Sequence, residues 1–202
     1  DGYEADDVLG TIADQTKSWM DKIYILTGDR DIFQLVDEKI NVVTPLTGVT
    51  STIIYDPQKV VEKMGVTPKK IADYKALVGD PSDNYPGAKG IGPKTAIKLL
   101  LQYPDVESLL KHLDQIKELK IQSLIRSSEK EIMLSKKLAS ILKTIPINID
   151  MSKARFTGFN DKIDELLKKL EMNSLRKKIF ETKIEKPVQE KKAYKPDQAE
   201  LF

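Results

Sequence analysis

Three groups of carboxylates in this 202-residue chain have the composition of a metal site: Glu4, Asp6 and Asp7 in GYEADD, Asp29 and Asp31 in TGDRD, and Asp80 and Asp83 in GDPSDN. Gathered in one partly desolvated place they would repel strongly, because two charges ~4 Å apart at an effective dielectric of ~20 interact by ~4 kcal/mol. Divalent cations remove that cost. The chain has no Cys and a single His, His112, so any metal is held by oxygen, which selects Mg²⁺ or Mn²⁺ over Zn²⁺. Each group also has a plainer use. Asp6 and Asp7 suit a helix N-terminus, Asp31 could cap a following IFQLV helix, and Asp80 and Asp83 could form turns beside Gly79 and Pro81.

A second constellation suits phosphate. The segment LVGDPSDNYPGAKGIGPKTAIKLL reads as a helix, a tight loop Gly90-Ile91-Gly92, and a second helix starting near Pro93. Glycines let a backbone turn sharply and approach a ligand, and the open amides of a helix N-terminus attract anions. Lys89, Lys94, Thr95 and Lys98 surround that start, and no acid occurs from Tyr85 to Leu101. Gly-hydrophobic-Gly at Gly90-Ile91-Gly92, followed by Lys94, Thr95 and Ala96, fits the helix-hairpin-helix pattern, which grips a phosphate backbone without reading bases. The alternative is a glycine-capped turn between helices with solvated lysines.

The elements that must position these groups are readable from pattern. KIYILTGD (22–29) is a β-branched run of the buried-strand type, and in open α/β sheets ligands collect beyond the carboxyl ends of strands, where Asp29 and Asp31 stand. INVVTP and STIIYD predict two further strands. ADDVLGTIADQTKSWM predicts a helix with Val8, Leu9, Ile12, Ala13 and Trp19 on one apolar face, and Asp56 with Pro57 opens another. From Thr67 the pattern is helical, apart from an extended stretch at 144–151, and beyond Ile184 it turns polar and reads as a disordered tail or linker. The fold class is therefore α/β, a sheet with flanking helices at 1–66, joined to a helical region that holds the hairpin at 67–183 and a disordered tail or linker at 184–202.

Charge is unevenly spread: residues 1–37 hold nine acids and three bases, whereas residues 153–202 hold thirteen bases and nine acids. An acidic spot on a basic body suits a protein that grips a polyanion and works on it through cations. No apolar run is long enough for a membrane span, and the opening residues lack the pattern of a secretory signal. Opening on Asp-Gly rather than Met, the chain reads as a fragment.

GYEADDVLGTIA, YILTGDRDIFQLV and KALVGDPSDNYPGAKGIGPKTAIKLL, in this order, closely resemble the 5′ nuclease (5′-3′ exonuclease) domains of bacterial DNA polymerase I, in the flap endonuclease superfamily, over about residues 1–180. The resemblance implies a resolvase-like (PIN-like) core with its front portion missing, followed by the helical hairpin region. It implies that Glu4, Asp6, Asp7, Asp29, Asp31, Asp80 and Asp83 are metal ligands, with Asp6, Asp29, Asp31 and Asp83 at the catalytic centre. It further implies Mg²⁺-dependent hydrolysis of branched, nicked or flap duplex DNA in replication and repair, and a K⁺ ion at the carbonyls of Gly90, Ile91 and Gly92. The setting implied is the bacterial cytoplasm, at the nucleoid. A front strand with a further Asp and a helical arch, both part of the family domain, do not precede Asp1, so a DNA-binding fragment lacking a complete metal site stays open beside the nuclease. Hairpin backbone contacts alone do not separate DNA from RNA. Gln198, Leu201 and Phe202 resemble the Gln-x-x-Leu-Phe segment by which bacterial polymerases and repair proteins bind the sliding clamp.

Overall fold

The computed structural model describes residues 2–47, 51–151 and 153–180. Its chain forms two compact units, residues 1–149 and 150–202.

In the first unit, α1 (Ala5–Thr16) starts where the Asp7 carboxylate accepts the backbone amide of Glu4 at 3.1 Å, so an acid of the first turn satisfies one of the open donors there. The helix stops at Thr16, whose hydroxyl bonds back to the carbonyl of Ile12 at 2.8 Å, and the chain then turns. Trp19, expected on its apolar face, lies beyond the helix and is 65% exposed.

The sheet has three strands in the order β1 (Ile23–Leu26), β2 (Ile40–Thr47), β3 (Ser51–Tyr55). Strands β1 and β2 are parallel with Ile23 opposite Ile40, and β2 and β3 are antiparallel with Val42 opposite Tyr55. Ile25, Ile40, Val42 and Tyr55 face the core, where Phe33 stacks at a tilt on Tyr55 with ring centroids 4.5 Å apart. Strand β1 differs from the fully buried strand expected. Being an edge among the described residues, it leaves Tyr24 and Leu26 exposed on its other face. The IFQLV segment winds as a 3₁₀ turn, Asp31–Leu35, that buries Ile32, Phe33 and Leu35.

Asp56 caps α2 (Pro57–Met64), accepting the amide of Lys59 at 2.8 Å, with Pro57 in the first turn as the sequence predicts. Helices α3 (Ile71–Val78), α4 (Pro93–Gln102), α5 (Val106–Lys111), α6 (Leu119–Ser127) and α7 (Glu129–Ala139) follow. One apolar core runs from the sheet through these helices: Val42, Val60, Ile71, Leu77, Val106, Leu109, Ile125 and Ile132 are all fully buried in it. A buried ion group sits beside that core, where Asp73 accepts the amide of Val106 at 3.0 Å and pairs with Lys136, itself paired with Glu107. After α7 the chain runs extended along α1. Asp7 accepts the amide of Leu142 at 2.8 Å, the Thr11 hydroxyl donates to Leu142 and accepts from Ile145, and Gln15 donates to Ile147. Gln34 clamps the start of this run, its side-chain amide donating to Ala139 and accepting from Ile141.

The second unit contains α8 (Asp161–Lys169), capped by Asn160, and α9 (Asn173–Phe180). Arg176 pairs with Asp164 between these two helices.

Candidate functional site

The end of β1 builds the first wall of the site. The Asp29 amide donates to the Thr27 hydroxyl at 3.0 Å and its carboxylate accepts the Asp31 amide at 2.9 Å, so a short side-chain-capped turn sets the backbone of both acids. From there the Asp31 carboxylate points to α3.

The second wall follows α3. After Gly79 the chain makes a small two-residue ladder, in which the Asp80 amide donates to the Tyr85 carbonyl at 3.0 Å and the Tyr85 amide returns the bond at 3.2 Å. Pro81 to Asn84 form the turn between them. The ladder fits only because the backbone of Gly79 crosses that of Gly87. A Cβ on Gly87 would lie 2.2 Å from the Gly79 nitrogen, and both glycines have left-handed φ, +77° and +61°. Tyr85 is packed inward, with its hydroxyl buried and without a hydrogen-bond partner. Burial, and then the charges of Asp80, Asp83, Asp29 and Glu4, push its phenol upward in pKa.

These walls bring Asp31, Asp80 and Asp83 together, one carboxylate oxygen from each within 4.8 Å of the others. They line an open cleft of about 560 Å³ with Asp29, Arg30, Tyr74 and Lys75. At its centre stands a residue that the sequence pattern did not flag. The Lys75 ammonium is in direct ion-pair contact with Asp31, lies 2.7 Å from Asp80 and 4.0 Å from Asp83, and its side chain is only 10% exposed. The one available hint was a lysine in the apolar run of α3, five residues before Asp80. Burial alone would raise the Asp80 carboxyl, but the Lys75 ammonium and the hydroxyl and amide of Ser82 outweigh it and hold the group down to about 2.

Helix α1 contributes unequally. Asp6 is raised from its ordinary value, first by burial and then by the charges of Asp29, Glu4, Asp7 and Asp83, which ties it electrostatically to both walls. Glu4 is exposed at the helix start. Asp7 commits one carboxylate oxygen to the amide of Glu4 and the other to that of Leu142, so it fixes the helix in place.

The hairpin is longer than the tight loop expected. Between Val78 and Pro93 the chain passes through the Asp80–Tyr85 ladder and a second turn at Lys89–Gly90 before α4 begins, with no helix in between. Gly90 carries the left-handed φ of +88°, whereas Gly92 is extended at −95° and caps α4 with no side-chain hydrogen bond. Ile91 is 4% exposed, so its side chain anchors the loop in the core. Lys89 and Lys94 are exposed and form no ion pair among the described residues, and Thr95 is half-buried. Lys98 is engaged, its ammonium 2.6 Å from Glu118, an acid far off in sequence that folding brings to the hairpin. Gln198, Leu201 and Phe202 lie outside the described residues.

Compared with known proteins, residues 1–65 match the family model of the 5'-3' exonuclease, N-terminal resolvase-like domain, and residues 66–162 match that of the 5'-3' exonuclease, C-terminal SAM fold. DNA polymerase I of Bacillus subtilis (strain 168) is 38% identical over 180 residues, covering 89% of this chain and 20% of the relative. The thermostable DNA polymerase I of Thermus filiformis is 42% identical over 175 residues, covering 86% of this chain and 20% of the relative. The chain spans about one fifth of the length of these relatives. Among solved structures, T5 5'-exonuclease with bound divalent metal ions (zinc) superposes with a TM-score of 0.62 at 23% identity, over 68% of this chain and 50% of that one. The catalytic core of Rad2 in complex with DNA substrate gives 0.54 at 16% identity, over 87% and 61%. These two likenesses are ones of fold.

Proposed function

The chain belongs to the 5'-3' exonuclease family, and on that premise we propose that it carries the later part of a structure-specific 5′ nuclease, hydrolysing phosphodiesters near the 5′ end of flap, nicked or otherwise branched DNA in replication and repair. The observation that carries the reading is the convergence of Asp31, Asp80 and Asp83 beyond the end of β1, in the same compact unit as the glycine hairpin. The donor set suits a hard divalent cation. It is all oxygen, and the only cation it holds among the described residues is the Lys75 ammonium, in direct contact with Asp31 Oδ1.

Asp31, Asp80 and Asp83 would hold such ions, Mg²⁺ or Mn²⁺, with Asp6, Asp29 and Glu4 adding charge around them and Asp7 fixing the helix that carries Asp6. Bound there, divalent ions supply Lewis-acid stabilisation and an acidified water. The rest of the work is the chain's own. The Asp29 turn and the Gly79–Gly87 crossing keep the carboxylates in register. The exposed Lys89 and Lys94, with Thr95 and the open amides of α4, would take phosphates of the duplex, and K⁺ would sit at the carbonyls of Gly90, Ile91 and Gly92, the last of which also accepts the Ala96 amide at 3.0 Å. Lys98 contributes less while it is paired with Glu118. The closing Gln198, Leu201 and Phe202 would add a weak anchor on a sliding clamp, and the working place would be the bacterial cytoplasm at the nucleoid.

The test is cleavage of flap, nicked and unbranched duplexes, and of their RNA counterparts, with Mg²⁺ or with EDTA. It uses this chain and a chimera in which the front of a relative's nuclease domain precedes Asp1. Metal-dependent cleavage of flap DNA by the chimera is expected, and Asp83→Asn in it should cut turnover by about 100-fold or more while duplex binding holds. Binding without cleavage in every form would favour a non-catalytic DNA-binding module, and equal losses of binding and rate on Asp83→Asn would count against a metal role.

A further inference from the structure

We propose that Lys75 is a built-in counter-cation of the acidic cluster: its ammonium gathers Asp31, Asp80 and Asp83 in the metal-free protein and must withdraw when a divalent ion takes those oxygens. The inference rests on reading the cluster as a metal site. Its ground is the geometry. Lysines normally extend their stems along a surface and keep the charge in water, but α3 buries this one, and its ammonium contacts or approaches three carboxylates from two separate segments, Asp31 after β1 and Asp80 with Asp83 in the turn after α3.

One ammonium among three carboxylates leaves an excess of negative charge, so the cluster still attracts a divalent ion after Lys75 has settled into it. The two cations cannot share the cluster on equal terms. Asp80 Oδ2 accepts from the Lys75 ammonium at 2.7 Å, and an ion bound to the same oxygens would repel an ammonium a few ångströms away. Lysine suits a place that must be both filled and vacated. Its charge is compact and its four-carbon stem flexible, and the open cleft that Lys75 lines gives the ammonium somewhere to swing without backbone movement. Lys75 is then a positioning residue. It keeps mutually repelling groups close before the metal arrives, and it sets the metal concentration at which the site fills.

Binding of Mn²⁺ to this chain, followed by electron paramagnetic resonance of the free ion, tests the competition. Lys75→Met should bind Mn²⁺ about tenfold more tightly than the wild type, and Lys75→Arg, which keeps the charge, should not. A second measurement uses the unmutated protein, in case Lys75→Met does not fold. The ¹⁵Nζ signal of Lys75, assigned by its loss in Lys75→Arg, should be protected without divalent ion and shift or exchange away on saturation with Mg²⁺. Equal or weaker Mn²⁺ binding by folded Lys75→Met, or an Nζ signal that Mg²⁺ leaves unchanged while Mn²⁺ binds the wild type, overturns the inference and leaves the metal site standing. Absence of Mn²⁺ binding by both wild type and Lys75→Met overturns the metal site as well.

Discussion

Replacing Gly87 by alanine probes whether the acidic turn is held by the crossing of two backbones. The new Cβ would lie 2.2 Å from the Gly79 nitrogen and 2.7 Å from both Gly79 Cα and the Val78 carbonyl carbon, all backbone atoms that no side-chain rotation can move aside. Ordinary contact begins at 3.4 Å, so the two strands of chain must part by more than 1 Å at a place where Gly87 also ties its amide to the Ser135 hydroxyl at 3.1 Å. Holding alanine in the left-handed region costs ~1–2 kcal/mol, and overpacking a tight site costs ~1–3 kcal/mol. A loss of ~2–5 kcal/mol follows, a large share of the ~5–15 kcal/mol that keeps a domain folded. Urea unfolding monitored by circular dichroism measures it, with Gly28→Ala as the control. A Cβ there meets nothing within 4 Å, and its change should stay within ~0.5 kcal/mol. Asp80 directly follows Gly79, so Mn²⁺ affinity should fall in Gly87→Ala even where the protein is folded. A Gly87→Ala protein as stable as Gly28→Ala, with unaltered Mn²⁺ binding, would refute the crossing as the device that sets the site.

Lys94→Ala should weaken duplex binding about equally across sequences and lower the slope of log K against log salt by roughly one, with Lys98→Ala changing it less because Glu118 already holds that ammonium. A sequence-dependent loss would reject the phosphate role. Acid should destabilise the first unit through Asp80: its folded pKa of about 2 lies below the ordinary 3.8, so the stabilisation is present above 3.8 and lost as pH falls from there toward 2. Asp6 works in the opposite sense, since its raised pKa favours the folded state at low pH and opposes it as pH rises through the folded value. Thermal melts between pH 2 and 5 should therefore lose part of their acid slope in Asp80→Asn, and an unchanged slope would exclude the Lys75–Asp80 pair as its source. A peptide of the last residues should bind a bacterial sliding clamp only at high micromolar concentration. Persistence of that binding after alanine replaces both Leu201 and Phe202 would remove the clamp assignment.

Local rules made much of this fold legible. Pro57 behind a capping Asp56 marked α2, and β-branched runs marked β2 and β3. The glycines around Ile91 marked the start of α4. What escaped was set by long-range packing. Trp19 fits a helical face by spacing, but the helix ends at Thr16, where the run at 142–147 packs along it through Thr11 and Gln15, and the chain turns before that face is extended. β1 looks buried by composition, and only its place in the sheet makes Tyr24 and Leu26 exposed. The same division runs through the site. Acid spacing pointed to seven carboxylates, of which Asp31, Asp80 and Asp83 converge, whereas Lys75 carries no signal in a one-dimensional pattern, because a lysine in a helix reads as solvated surface until the partners across the cleft are known. Of the two loop glycines, which spacing does not tell apart, only Gly90 takes the left-handed angle.

The extended run after α7 has a consequence for the order in which the molecule takes shape. Asp7 and Leu142 are 135 residues apart in sequence, and the bonds of Thr11 and Gln15 to the same run span 131 to 134. Closing so long a loop is entropically costly and is repaid only when both ends are in place, so α1 acquires its final seat late in folding. The acids that α1 carries are among the first residues of the chain, but their placement waits for nearly the last of the first unit. A chain stopped before Leu142 would thus lack every one of these bonds to the acidic helix, and one stopped between Leu142 and Ile147 would hold it by only part of them.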